Sequence, residues 1–220
     1  MKPSLKKITS PFLQWWFKKY YSKPRSFSYQ NIEITISSGV FPPQYTFSTK
    51  ILLKYLQVLD LKGRTFLELG CGSGIISLLA AKKGAIVTAT DINETALNQL
   101  EKSAIKNGLN LQIVKSDLFK NINEFHFDYI FINPPYYPKE PTSIEENAWF
   151  CGENFEYFVK LFQQLPKFVE SKSEIIMILS KDCNIKKIQT IAQNNHLDLN
   201  LIKIEKSFWE TNYLFKILGK

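Results

Sequence analysis

Thr65-Phe-Leu-Glu-Leu-Gly-Cys-Gly-Ser-Gly74, followed at once by Ile75-Ile-Ser-Leu-Leu-Ala-Ala81, decides the fold of this chain. A short apolar strand runs into a turn with glycine at every second position, and an apolar helical run begins directly after it. Glycine lets the backbone approach a ligand, and the first turn of the helix offers free N–H groups. Position 75 is Ile, so the spacing is not the GxGxxG of dinucleotide folds, and no Gly-Lys-Ser/Thr follows to make a phosphate loop. By themselves the glycines require no more than a tight turn. Glu68 asks for more, because an acid in a buried strand is costly unless something satisfies it. A cationic ammonium or sulfonium nearby would do so.

Outward from this stretch the strand–turn–helix pattern repeats. Ala85–Thr90 is rich in β-formers and ends at Asp91, and Asn93 is placed to cap a helix that runs to about Lys106 and stops at Asn107-Gly108. Leu111–Lys115 and Phe127–Ile132 read as the third and fourth strands, ending near Asp117 and at Asn133. Glu153–Val169 has helical period, Glu174–Leu179 is a fifth strand, and Ile185–Asn194 is a further helix. Leu197–Ile204 and Asn212–Ile217 close the sheet. This alternation predicts an α/β fold with a doubly wound, seven-stranded, mostly parallel sheet. Ligands in such sheets sit beyond the carboxyl ends of the strands, where the glycine turn, Asp91, Asp117 and Asn133 all fall.

Composition agrees with a globular domain able to bury its own core: 220 residues, 45% hydrophobic and 22% charged. The three scattered cysteines make no disulfide framework, and two distant histidines make no zinc pattern. With no membrane span and no signal-peptide pattern, the expected location is cytoplasmic. The net charge of +8 is uneven. Residues 1–64 hold nine Lys and two Arg against Glu33 and Asp60, whereas residues 65–220 hold 17 basic and 18 acidic residues. Residues 1–45 are expected to form a basic, aromatic N-terminal extension with a small hairpin at Phe27–Ile36, and residues 46–220 the α/β domain. Phe12, Trp15, Trp16, Phe17, Tyr20 and Tyr21 interleave there with Lys18, Lys19 and Lys23. That segment suits stacking and phosphate contact, a solvated basic face, or a membrane-surface helix.

Asp91 lies 21 positions after Gly70, the spacing at which an acid grips ribose hydroxyls, although it could instead cap the next helix. Asp117 could accept from an adenine amino group or simply serve the turn. Asn133-Pro-Pro-Tyr136 is the most telling motif. Neither proline has an N–H, so the strand ladder stops and a stiff loop begins. The Asn133 side-chain oxygen and the Pro134 carbonyl remain as acceptors, and Tyr136 supplies a flat π-face. Together they describe a receptor for a planar amino group.

Glu68-Leu-Gly-Cys-Gly-Ser-Gly74, Asp91, Asp117 and Asn133-Pro-Pro-Tyr136 resemble the class I S-adenosylmethionine-dependent methyltransferases that methylate nitrogen, in particular the methyltransferase small domain of the release-factor glutamine methyltransferases and their HemK-like relatives. The resemblance covers roughly residues 40–217. It implies S-adenosyl-L-methionine as cofactor, with Gly70, Gly72 and Gly74 at its methionine part, Asp91 at the ribose and Asp117 by the adenine. It implies acceptor binding at Asn133, Pro134 and Tyr136, and it aligns Ser48-Thr49-Lys50 with a family threonine near the cofactor. Trp149–Glu153 resembles the acceptor-side loop, with Cys151 where glycine is common. Only the short basic and aromatic segment precedes the stretch that resembles the family, where the family carries a helical N-terminal domain, so none is expected here. The implied acceptor is a glutamine amide of a release factor or ribosome-associated protein, or else an exocyclic amine of RNA or DNA. A cofactor-binding scaffold without turnover is the non-enzymatic alternative.

Overall fold

A computed structural model describes residues 25–36, 46–123, 126–208 and 210–219. The basic and aromatic run expected in residues 1–24 lies outside them. Strands β1 (Arg25–Tyr29) and β2 (Ile32–Ile36) pair antiparallel as the expected hairpin, with both turn residues, Gln30 and Asn31, at positive φ. Then follow α1 (Phe47–Gln57), β3 (Thr65–Leu69), α2 (Ile75–Lys82), β4 (Ile86–Asp91), α3 (Glu94–Lys106) and β5 (Gln112–Lys115). The chain continues through β6 (Tyr129–Ile132), α4 (Glu156–Gln164), β7 (Glu174–Ser180), α5 (Ile185–Gln193), β8 (Leu197–Lys206) and β9 (Thr211–Gly219).

Seven strands form one sheet in the order β5-β4-β3-β6-β7-β9-β8. The first five are parallel to their neighbours, and β9 runs antiparallel to both β7 and β8. The chain winds outward from β3 to β5 and returns to lay β6 on the other side of β3. The sheet therefore has its switch point at the carboxyl ends of β3 and β6, which bear Gly70 and Asn133.

The period of two along each strand divides the core. Phe66 and Phe131 join Leu52, Leu56, Leu78 and Leu100 of α1, α2 and α3 on one face. Leu67, Ile130 and Ile132 join Phe158, Phe162 and Ile188 of α4 and α5 on the other. The hairpin enters the first of these cores through Ile32, Ile34 and Ile36, all buried, at about 1.5–3 kcal/mol for each such side chain. It is tied to the end of α3, where Asn107 bonds both the N–H (2.9 Å) and the carbonyl (2.7 Å) of Glu33.

Three expectations need correction. The sequence reading placed no helix at Phe47–Gln57, yet α1 is there. The helical period from Glu153 to Val169 yields α4 only from Glu156 to Gln164, and Leu165–Phe168 tightens into a 3₁₀ turn. Pro166 has no N–H to continue the α-ladder, and although Leu165 keeps α dihedrals (φ −48°, ψ −42°), the last turn tightens. The fourth strand starts at Tyr129 rather than Phe127, because Asp128 turns its carboxylate to the Thr65 N–H (2.8 Å) and hydroxyl (3.0 Å) instead of extending the ladder.

Candidate functional site

A cleft of about 540 Å³ opens at the switch point, a size that holds a nucleoside with an amino-acid tail. Its floor is the turn between β3 and α2. Gly74 takes φ +72° as the N-cap of α2, and a Cβ there would drive into Leu100 of α3, with Cγ at 2.9 Å and Cδ2 at 3.0 Å. That glycine is required for packing. Gly72, at φ +50°, faces open space, and its N–H donates to Asp91 Oδ2 at 2.8 Å. Gly70 lines the same cleft.

Glu68 is 5% exposed. Its Oε2 accepts from the Ser77 N–H at 2.9 Å and from the Ser77 hydroxyl. The satisfaction that the sequence reading sought from a cation is thus supplied in part by Ser77, while Oε1 accepts no hydrogen bond from the described residues. Burial is the main cause that pushes the Glu68 carboxyl up to about 8, against the lowering hydrogen bonds from Ser77.

Asp91 closes β4. Its Oδ1 accepts from the Asn93 N–H at 2.8 Å, while Asn93 itself caps α3 by accepting from the Thr95 N–H at 3.0 Å. Asp91 thus holds the entry to α3 through the Asn93 N–H, leaving the cap itself to Asn93, and lines the cleft beside Gly72. Burial raises its pKa and the N–H bonds of Asn93 and Gly72 partly offset this. Asp117 sits half exposed at the outer end of the cleft, 3.6 Å from Lys160 Nζ of α4.

Asn133 and Pro134 form the opposite wall. The Asn133 Nδ2 donates to Ser48 Oγ at 3.4 Å, from the first turn of α1. Neither Asn133 Oδ1 nor the Pro134 carbonyl receives a hydrogen bond from the described residues. The loop after them is braced by the Trp149–Gly152 segment. Tyr136 and Tyr137 N–H both donate to the Trp149 carbonyl (3.2 and 3.0 Å), and Cys151 N–H donates to the Tyr137 carbonyl (3.0 Å). The Tyr136 ring is partly buried against the second core and rests on Tyr137 with centroids 4.8 Å apart. Burial holds its hydroxyl well above the usual tyrosine range. Thr49 is buried and accepts from the Thr46 hydroxyl at 2.7 Å, while also lining the cleft.

Every site residue singled out in the sequence lines this one cleft or its turn, and no histidine does among the described residues. Ser77 and Lys160 were not singled out in the sequence, and Ser48 only as a neighbour of Thr49. Ser77 alone left a signal, because it stands three residues after a glycine N-cap with no side chain to serve the N–H groups of α2. The donor set fits S-adenosylmethionine. Acids that keep spare lone pairs (Glu68, Asp91, Asp117) suit its ammonium, hydroxyl and amino hydrogens, and open space before Gly72 leaves room for its bulk.

Residues 31–188 match the methyltransferase small domain family. A protein of Methanocaldococcus jannaschii, provisionally named a protein N5-glutamine methyltransferase, is 33% identical over 156 residues, covering 68% of this chain and 76% of that one. A ribosomal RNA small subunit methyltransferase C of Colwellia psychrerythraea is 35% identical over 145 residues, covering 64% of this chain and only 38% of that one. The chain thus spans about three quarters of the first relative and well under half of the second. Among solved structures, a chain of the E. cuniculi complex that methylates a translation termination factor has a TM-score of 0.63 at 21% identity, covering 83% of this chain and 99% of that one, a likeness of fold. The chain belongs to the methyltransferase small domain family and is an S-adenosylmethionine-dependent methyltransferase.

Proposed function

We propose that this enzyme methylates a planar amino nitrogen, the side-chain amide of a protein glutamine. The observation that carries the reading is that Asn133 and Pro134, consecutive residues lining the cleft, bring two acceptors, Asn133 Oδ1 and the Pro134 carbonyl, that take no hydrogen bond from the described residues. Two acceptors answer the two hydrogens of an –NH2 group. An amide lone pair is delocalised, and fixing both N–H bonds localises it and aims it along one line. Tyr136 contributes its ring as a packing face, since its hydroxyl stays protonated. When bound, S-adenosylmethionine supplies an electrophilic methyl group. Gly70, Gly72 and Gly74 shape its seat, Glu68 and Thr49 line the part nearest the turn, Asp91 takes the ribose, and Asp117 stands by the adenine. The nitrogen becomes acidic only as its new bond forms, so no strong base is needed, and positioning with electrostatics carries the rate.

Incubating the enzyme and labelled cofactor with cell extract, then separating protein, RNA and DNA, tests this. Label in protein, released as N5-methylglutamine on digestion, is the expected result. A second reading, methylation of a nucleobase amine, draws on the crowding of positive charge into residues 1–64 and on the ribosomal RNA methyltransferase relative. Label in RNA would favour it and overturn the glutamine reading. Cofactor binding with no labelled product would mark a scaffold.

A further inference from the structure

Glu68 and Ser77 form a buried pair whose geometry exceeds what capping a helix requires. Helix α2 begins at Gly74, which has no side chain to receive the N–H groups of the first turn. Glu68 serves one of these N–H groups from the neighbouring strand, and does so with a single oxygen: Oε2 takes both the N–H and the hydroxyl of Ser77. Ser77 is fully buried and Glu68 is 5% exposed. The other oxygen, Oε1, is left without a donor among the described residues, on a side chain that lines the cleft.

We infer that Ser77 is a positioning residue that holds one oxygen of Glu68 and leaves the other to receive the cofactor's cationic tail, so that cofactor binding expels a proton from the cleft. This rests on the cofactor placement given under the proposed function. Among the described residues, the charged and titratable groups around Glu68 are Asp91 at the end of β4 and Cys71 in the turn, with Tyr157 of α4 facing Asp91, and none of these is a cation. Burial and the Asp91 charge both favour a protonated Glu68 while no cation is present, which agrees with its carboxyl being raised to about 8. A cation brought against Oε1 reverses that preference, and the proton leaves to solvent.

The test is calorimetric titration of the full chain with S-adenosylhomocysteine, which carries the ammonium, in buffers of different ionisation heat. Near pH 6.5, release approaching one proton per molecule bound is expected. The Kd should tighten by up to tenfold per pH unit between about pH 5.5 and 7. Glu68→Gln keeps an acceptor for Ser77 and should abolish both the release and the slope. Ser77→Ala should weaken binding about tenfold, the order of one lost hydrogen bond to a charged group, and Ser77→Thr should restore it. Binding without proton release, a slope that survives in Glu68→Gln, or wild-type affinity in Ser77→Ala would each overturn the inference. A protein that transfers methyl groups yet releases no proton overturns this inference alone. Failure to bind the probe at all overturns the cofactor placement beneath it.

Discussion

Replacing Gly74 by alanine should destabilise the protein through its first core rather than merely blunt its activity. The residue sits at φ +72°, where an L side chain costs about 1–2 kcal/mol. The new Cβ would also press on Leu100, with Cγ at 2.9 Å and Cδ2 at 3.0 Å. Leu100 is itself fully buried, so it cannot swing away into solvent. Overpacking of that kind costs about 1–3 kcal/mol. The sum, about 2–5 kcal/mol, corresponds to a fall in Tm of roughly 4–20 °C for a chain of this size. Gly72→Ala is the matched control. It carries a similar backbone penalty at φ +50° but meets nothing within 4 Å, so its Tm should fall by only roughly 2–8 °C while its cofactor affinity collapses. Scanning calorimetry and cofactor titration on both variants give the comparison. A Gly74→Ala protein that melts like wild type would refute the packing argument.

Removing the side chain of Ile34 tests whether the hairpin belongs to the main core: Ile34→Ala should cost about 2–5 kcal/mol in urea unfolding, and a change under about 0.5 kcal/mol would show the hairpin to be dispensable. Without cofactor, stability should fall as pH rises from about 4.5 to about 8, because the unfolded chain ionises Glu68 at the lower value and the folded chain holds the proton to the higher one. The Glu68→Gln variant should show a flatter melting profile across that window, and a profile parallel to wild type would contradict the assignment. Cys71, Cys151 and Cys183 are all buried with thiols raised by burial, so a thiol reagent at pH 8 should label the native chain slowly and the urea-unfolded chain at once. Rapid labelling of the native protein would contradict their burial.

Local chemistry carried most of the fold into the sequence. Val87, Ala89 and Ile130 lie in apolar runs bounded by turn residues, so the strands were readable from pattern, and Asn93 announced α3 through its side chain. Helix α1 was hidden because it has no acidic residue in its first turn and no side-chain cap, its Thr46 hydroxyl being spent on Thr49. The end of α4 was hidden because the apolar helical period runs on past Pro166, which stops the α-ladder.

The site divides in the same way. Glycines, prolines and lone acids leave marks on a sequence because their backbone or charge demands are unusual, and Gly74, Pro134, Glu68 and Asp91 were found on those grounds. What they touch depends on contacts between distant segments. Ser48 meets Asn133 across 85 positions, and Trp149 braces Tyr136 only once the loop folds back. The order of the strands, which brings Asn133 opposite the glycine turn, is likewise a property of the packed sheet.

The acceptor pair at the end of β6, Asn133 Oδ1 and the Pro134 carbonyl, is the centre of this account, and Asn133→Ala measures it most directly. Cofactor Kd should stay within about threefold of wild type, while methyl transfer to acceptor protein falls by roughly 10²–10³-fold, the scale of losing one oriented polar group at a reacting centre. Turnover at the wild-type rate in that variant would contradict the account.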